Sequence, residues 1–320
     1  MLSRVADNLY WMARYIERVE NMARLIDVNL QLMLDLPQIE AQRLKKDWQA
    51  ILVCLDLKKN FLKKHSNFDC KAVTEFLVIA AHPYSIFNQI KLARENARAI
   101  REEISTEMWE QLNRVYLWSI SRSAFQLFLK NPYDFFYRIK QESHLFQGIT
   151  DATLPHREAW RFIQLGKYSE RAEKTSCFLD NQLFHASDSL LGWIAVLRSC
   201  SARQAYQKCY QTLPQPRLVV KFLCHDPFFP RSIAFCLNQI KNLLEDIAKE
   251  HGATLQTLIL FRDLKTLLKQ AKGIYPQHAE TLKLHQELKQ FQLHLDNLNK
   301  AIFKTYLYYQ APTKVSLTPQ

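Results

Sequence analysis

Glycine is nearly absent. Five glycines in 320 residues leave few positions at positive φ for the tight hairpins of a sheet protein, and no glycine-rich phosphate loop or dinucleotide fingerprint is present. His-x-x-x-His and His-Glu-x-x-His pairs are missing, as are a nucleophile elbow and the Glu-x-x-His pairs of a di-iron bundle. The seven cysteines, at positions 54, 70, 177, 200, 209, 224 and 236, are an odd number with no Cys-x-x-Cys. That pattern fits reduced thiols better than a disulfide framework or a zinc site. The longest clean apolar run, Phe76 to Ala81, is far too short for a bilayer, and Met1-Leu-Ser-Arg-Val-Ala-Asp has no apolar signal core. The expectation is a cytoplasmic all-α protein with no membrane contact, no metal and no cofactor.

What the sequence does contain is a repeated stretch. Met12-Ala-Arg-Tyr-Ile-Glu-Arg-Val-Glu-Asn-Met-Ala-Arg-Leu-Ile-Asp27 returns as Leu165-Gly-Lys-Tyr-Ser-Glu-Arg-Ala-Glu-Lys-Thr-Ser-Cys-Phe-Leu-Asp180. Tyr15, Glu17, Arg18, Glu20 and Asp27 recur without gaps as Tyr168, Glu170, Arg171, Glu173 and Asp180. Surface charges drift after a duplication because solvent is indifferent to them, so a retained Glu-Arg-x-Glu implies a constrained setting; internal similarity of this kind also sets the architecture. On a helical wheel Val5, Leu9, Met12, Ala13, Ile16, Val19, Ala23 and Ile26 form one apolar stripe, and Trp11, Tyr15, Met22 and Leu25 a second. A helix apolar on two sides lies inside a bundle. Glu20 and Asp27 fall in the first stripe, Glu17 and Arg24 at its edge, and Arg18 in the second, so these charges must pair or bind something. Two readings follow: a salt-bridge lattice that fixes helix register, and a polar site between the two copies.

The similarity extends further. Phe76-Leu77 followed by Pro83-x-Ser85-Ile86 matches Phe222-Leu223 followed by Pro230-x-Ser232-Ile233, and Trp48 matches Trp193 in order. The expected architecture is a helical bundle of two similar repeats about a pseudo-two-fold axis. It forms one domain over residues 1–310, with repeat one at about 1–147, repeat two at about 156–310 and a frayed tail at 311–320. Gln147 to His156, with Gly148, Thr150, Asp151, Thr153 and Pro155, reads as the hinge. Helices are expected from Ser3 to about Leu34, from Pro83 to Ile104, from Ser105 to about Lys130 and from Pro132.

The net charge of +12 suits an acidic partner, but the basic residues are scattered along helices, with no RNA-binding signature or basic tail, so nucleic acid ranks last among partners. The chemistry resides in an Arg/Glu-rich set: Arg14, Glu17, Arg18, Glu20, Arg24, Arg94, Glu95, Arg98, Arg101, Glu102, Glu170, Arg171, Glu173, Asp226 and Arg231. Arginine binds carboxylate or phosphate bidentately, and a carboxylate among arginines stays ionised. Such a set orients groups or binds an anionic or zwitterionic ligand, such as a peptide terminus, better than it supplies an acid.

The chain resembles the alpha-E family, a helical family named for a Glu-Arg motif. The resemblance rests on Leu2-Ser-Arg-Val-Ala with Tyr10-Trp11, Arg14-Tyr15-x-Glu17-Arg18, Ala93-Arg-Glu-Asn-Ala-Arg98, Ser105-Thr-Glu-Met-Trp109, Asp151-Ala-Thr153, Gly166-Lys-Tyr-x-Glu170-Arg171-Ala-Glu173, Leu197-Arg-Ser-Cys200 and Phe229-Pro-Arg-Ser232. It implies an all-helical bacterial protein encoded beside a circularly permuted ATP-grasp protein and a transglutaminase-like protease, company that makes and trims amide bonds. No catalytic role carries over with it. Three departures stand out. Lys167 replaces the arginine usual in the second motif, Cys177 stands where the first copy has Arg24, and Ala80-Ala81-His82 replaces an Asp-Pro stretch that survives as Asp226-Pro227 in the second half. The leading expectation is an accessory component binding the peptide or the ligase through the Glu/Arg network. The rivals are an enzyme with Glu17 or Glu170 as acid/base and Arg18 or Arg171 as carboxylate clamp, and a basic nucleic-acid-binding module.

Overall fold

The computed structural model describes residues 1–35, 41–185, 190–252, 254–274 and 281–308. Among them there are helices and no strand. The order is α1 (Ser3–Asp35), α2 (Ala41–Cys54), α3 (Lys58–Leu62), α4 (Cys70–Val78), α5 (Ile86–Ala99), α6 (Thr106–Ser119), α7 (Arg122–Lys130), α8 (Pro132–Thr153), α9 (Glu158–His185), α10 (Leu190–Ser199), α11 (Arg203–Tyr210), α12 (Pro216–His225), α13 (Ile233–His251), α14 (Leu255–Gly273) and α15 (Thr281–Ile302). A 3-10 turn, Arg101–Glu103, follows α5, and a π turn, Phe303–Leu307, follows α15. The frayed tail expected at 311–320 lies outside the described residues.

Side-chain caps set most boundaries. Asp69, Ser85, Ser105, Ser121, Asn131, Ser232 and Thr254 each accept a hydrogen bond from a backbone N–H in the first turn of the helix that follows, satisfying a donor the helix itself leaves orphaned. Pro132 and Pro216 occupy the first turn of α8 and α12, where a missing N–H costs nothing. Three departures from the sequence expectations follow, the first two set by caps. Ser85, not Pro83, opens α5. The single helix expected from Ser105 to Lys130 is two, because Ser121 caps a new start. The hinge expected at 147–156 is helical as far as Thr153. Thr150 and Thr153 return their hydroxyls to the carbonyls of Phe146 and Ile149, and Gly148 faces open space, so neither feature breaks α8. The connection to α9 shrinks to 154–157.

Two long helices organise the rest. α1 packs along α9; α5, α8 and α10 lean on α1, and α13, α15 and α2 lean on α9. One apolar cluster runs through all of them, from Leu9, Met12 and Ile26 to Leu179, Ile240 and Phe291. Trp48 and Trp193 are both buried in it. α1 and α9 approach closely at Gly166, where a Cβ would lie on the Tyr10 carbonyl oxygen and 3.3 Å from the Ala13 Cβ. Backbone cannot yield as a flexible side chain does, so Gly166→Ala is expected to lower stability by about 1–3 kcal/mol or more, read as a shift of the urea midpoint at unchanged slope.

Candidate functional site

The facing surfaces of α1 and α9 hold most of the charged residues singled out in the sequence. Each helix donates its arginine to the other's glutamate. Arg18 grips Glu170 with Nε to Oε1 at 2.7 Å and Nη2 to Oε2 at 2.8 Å. In return, Arg171 Nε lies 2.9 Å from Glu17 Oε1. The two arginines also sit alike over their own tyrosines, Arg18 over Tyr15 and Arg171 over Tyr168, both 5.9 Å from the ring centroid. A Glu-Arg pair adjacent in sequence points in two directions around a helix, which lets one motif both give and receive a charge across the interface.

Around this exchange the two ends differ. Glu170 is fully buried and also accepts from Arg14 Nε at 2.8 Å, with Lys174 Nζ 3.6 Å away. Glu173 bridges Arg14 and Lys174 at 2.5 and 2.7 Å. At the other end Arg231, from the turn before α13, reaches Glu17 at 2.8 Å and Glu20 at 2.5 Å and donates to Asn21 at 2.7 Å. Arg24 and His144 meet the same Glu20 oxygen at 2.5 and 3.0 Å. Gln147 ties the pieces together: its amide donates to Glu17 and Glu20 and accepts from Arg171. Farther along the same face, Asp27 pairs with Lys140 at 2.7 Å, and its counterpart Asp180 with Lys289 at 2.9 Å and His285 at 2.5 Å.

Burial and charge pull in opposite directions here. Burial alone would raise the Glu170 carboxyl, but Arg18, Arg14 and Lys174 outweigh it and hold the group well below the usual carboxylate range. Glu20 is likewise held low against its burial by Arg231, His144 and Arg24. Burial would lower Lys174 and Arg171, yet the facing carboxylates raise both. Carboxylates so held remain anions at any physiological pH and have no proton to give. Beside Glu17 and Lys167 lies a void of about 10 Å³, lined also by Gln147, Thr150 and Gln164, room for roughly one water.

The structure thus gathers Arg14, Glu17, Arg18, Glu20, Arg24, Glu170, Arg171, Glu173 and Arg231 at the α1/α9 interface as a lattice of two ion-pair clusters, one around Glu170 and Glu173 and one around Glu17 and Glu20. It leaves six other candidates outside, among them Arg101, which lies over the Trp109 ring, and the exposed Glu102. Arg94 bonds Asn113 and Glu95 and stacks over Tyr116 and Trp109. Arg98 pairs with Glu95 on the exposed side of α5. Asp226 accepts from the backbone of Phe228 and Phe229, which shapes the turn into α13. Residues that complete the lattice without having been singled out are Asn21, Lys174, His144, Gln147 and Ser143. Asn21 and Lys174 stand four residues after Glu17 and Glu170, a spacing that marks the same helix face. Gln147 was hidden by being assigned to a hinge. No group of three or more His, Cys, Asp or Glu positioned to hold a metal occurs among the described residues, and no helix there is long and apolar enough to cross a membrane.

An all-helical chain whose core is crossed by reciprocal Glu-Arg pairs defines a class of protein by itself. The family described as "a predicted alpha-helical domain with a conserved ER motif", Alpha-E, matches residues 1–307, and the chain belongs to it. Two uncharacterised mycobacterial proteins, from Mycobacterium bovis and Mycobacterium tuberculosis, are each 22% identical over 269 residues, covering 78% of this chain and 30% of theirs. The chain therefore spans less than a third of the length of these curated relatives. No solved structure matches it.

Proposed function

We propose that this protein is an accessory, binding component of an ATP-grasp-linked system that makes or trims amide bonds in a peptide, and that the Glu/Arg lattice gives it its affinity for an anionic group. The carrying observation is a charge imbalance. Arg14, Arg18 and Lys174 surround Glu170 and Glu173, and Arg24, Arg171 and Arg231 surround Glu17 and Glu20, so each of the two clusters has three cations to two carboxylates. A lattice serving only to hold helices together gains nothing from uncompensated buried cations. The Glu20 end is the one with an unmet need. There the His144 side chain is 58% exposed, and Arg24 keeps a buried Nε without a hydrogen-bond partner. A carboxylate of a peptide or of the ligase fits that need. The Glu170 carboxyl, held ionised by Arg18, Arg14 and Lys174, argues against the rival reading of Glu170 as general acid. The presence of the same domain within far longer relatives supports action alongside other domains.

The test is reconstitution. The chain would be co-purified with the neighbouring ATP-grasp protein and transglutaminase-like protease, and modified peptide followed by mass spectrometry. Modification should require this chain and fall by about tenfold or more in Arg24→Gln, the worth of one charge-assisted hydrogen bond. Equal modification without the chain, turnover by the chain alone, or selective nucleic-acid binding at physiological salt would each overturn the reading.

We also infer that the chain is a duplicated unit, with α1–α8 answering to α9–α15. Its support is the pairing pattern. α1 packs on α5 and α8 as α9 packs on α13 and α15, while α2 crosses to α9 and α10 crosses to α1. An experimental structure whose halves failed to superpose in that order would sink it.

A further inference from the structure

A groove of about 570 Å³ runs between α14 and α15, and no residue of the ion-pair lattice lines it. That volume falls among those of small-molecule sites, about 300–1,000 Å³. Its walls follow from helical spacing. Gln256, Ile259, Asp263 and Thr266 stand three or four residues apart on one face of α14, and His294, Asn297 and Ala301 do the same on α15. The π turn after α15 adds Lys304 and Thr305 to the lining, and the Tyr308 N–H closes that turn on the Phe303 carbonyl at 2.8 Å. Turns of this kind recur at functional sites. The lining offers two kinds of partner. Arg262, Lys300 and Lys304 supply three cations. Arg262 meets Asp263 at 3.3 Å and Lys300 meets Asp296 at 2.6 Å, both as well-exposed cations that can turn to another anion at little cost. Lys304 is exposed and has no ion-pair partner among the described residues. Other lining groups are acceptors. Thr266 and Thr305 donate their hydroxyl protons to the carbonyls of Arg262 and Ala301, at 3.0 and 2.7 Å, and keep only lone pairs. His294 directs Nδ1 at the Gln270 side-chain oxygen, which leaves Nε2 of the neutral ring to accept, and the Asp263 carboxylate accepts as well.

We propose that this groove binds a small phosphorylated polyol, such as a sugar phosphate, with its phosphate on Arg262, Lys300 and Lys304 and its hydroxyls on Asp263, Thr266 and Thr305. Three cations suit a phosphate monoester, with three terminal oxygens, better than a carboxylate with two. The acceptors beside them call for hydroxyl donors, which inorganic phosphate or a simple carboxylate does not bring. No Phe, Tyr or Trp lines the groove, so a nucleobase has no face to stack on.

The test titrates the full chain calorimetrically, at physiological salt, with glycerol 3-phosphate, ribose 5-phosphate and glucose 6-phosphate, and with inorganic phosphate, glycerol, glucose and AMP as references. At least one phosphorylated polyol should bind saturably at one site with a Kd below about 1 mM, and inorganic phosphate and the free polyols at least about tenfold more weakly. Lys304→Met should weaken the sugar phosphate by about tenfold, the worth of one charge-assisted hydrogen bond. Asp263→Asn should weaken the sugar phosphate but leave inorganic phosphate as tight or tighter, because it removes a hydroxyl acceptor and a repelling charge together. Lys241→Met, at an exposed pair on α13, should change nothing. Lys304 and Lys241 are both exposed, and circular dichroism verifies that their variants keep the fold. No saturable binding by any of the three phosphorylated polyols, inorganic phosphate binding as tightly as they do, AMP binding more tightly than ribose 5-phosphate, or equal losses in Lys304→Met and Lys241→Met would overturn the proposal. No variant touches the lattice, so the outcome is independent of the role proposed for it.

Discussion

Glu170→Leu is expected to destabilise the protein by about 3–5 kcal/mol, the cost of leaving buried charges without their partner, and to lower the melting temperature by roughly 10 °C. Glu170 is fully buried and faces Arg14, Arg18 and Lys174. Removing it leaves three cations around an apolar side chain, with Glu173, 29% exposed, as the remaining carboxylate nearby. The double variant Glu170→Leu with Arg18→Leu should recover part of the loss, because a buried pair replaced by apolar groups escapes the penalty of an orphaned charge. The pH dependence has a fixed sign. The Glu170 and Glu20 carboxyls are depressed in the folded protein, so their contribution is complete above the unfolded carboxylate range near about 4.3 and is lost as pH falls toward the folded values. Thermal melts from pH 7 down to 3 should show a steep loss below about pH 4 in the wild type and a shallower one in Glu170→Leu. A Glu170→Leu melt within a degree or two of the wild type would show that the lattice does not hold α1 and α9 together.

The sequence made the lattice legible for a simple reason. Glu17, Arg18, Glu170 and Arg171 sit on helices with apolar residues on both sides, and a charge on such a helix has to be paired inside the protein. The wheel therefore located the interface, and the in-register repeat identified the two helices that form it. It could not reveal which residues would come from outside the repeat. Arg231, a candidate by residue type, enters from a turn before α13; Gln147 was missed, because it comes from a helix whose Gly148, Thr150 and Thr153 looked like loop chemistry, although a threonine in the interior of a helix can return its hydroxyl to the carbonyl four residues back. Arg94, Glu95, Arg98 and Asp226 were singled out by residue type alone. Their charges lie where solvent, a ring face or a turn satisfies them, and composition carries no information about that choice.

The asymmetry between the two ends of the lattice centres on Lys167, which gives the second large prediction. By register Lys167 answers to Arg14. Arg14 spans Glu170 and Glu173, and the mirrored role would be to span Glu17 and Glu20, but Arg231 already holds both. Lys167 is left 8% exposed, with its Nζ 4.7 Å from the Tyr168 ring centroid and no carboxylate in ion-pair contact among the described residues. Burial, then Arg171, lower its ammonium to about 8, against an ordinary lysine near about 10.4. A lysine lowered in the folded state binds fewer protons there than in the unfolded chain between those two values, so stability should rise as pH climbs from about 8 to about 10.4 and be lowest on the acid side of that window. The full swing is about 3 kcal/mol. Lys167→Met removes the penalty, and at pH 7 should be more stable than the wild type by about 1–3 kcal/mol; Lys167→Arg should also abolish the alkaline rise, since guanidinium does not titrate there. Urea titrations at pH 7, 8.5 and 10 measure all three. A wild-type stability that stayed flat or fell across that range, together with a destabilised Lys167→Met, would mean that the amine is paired in solution and that both ends of the lattice are equally satisfied.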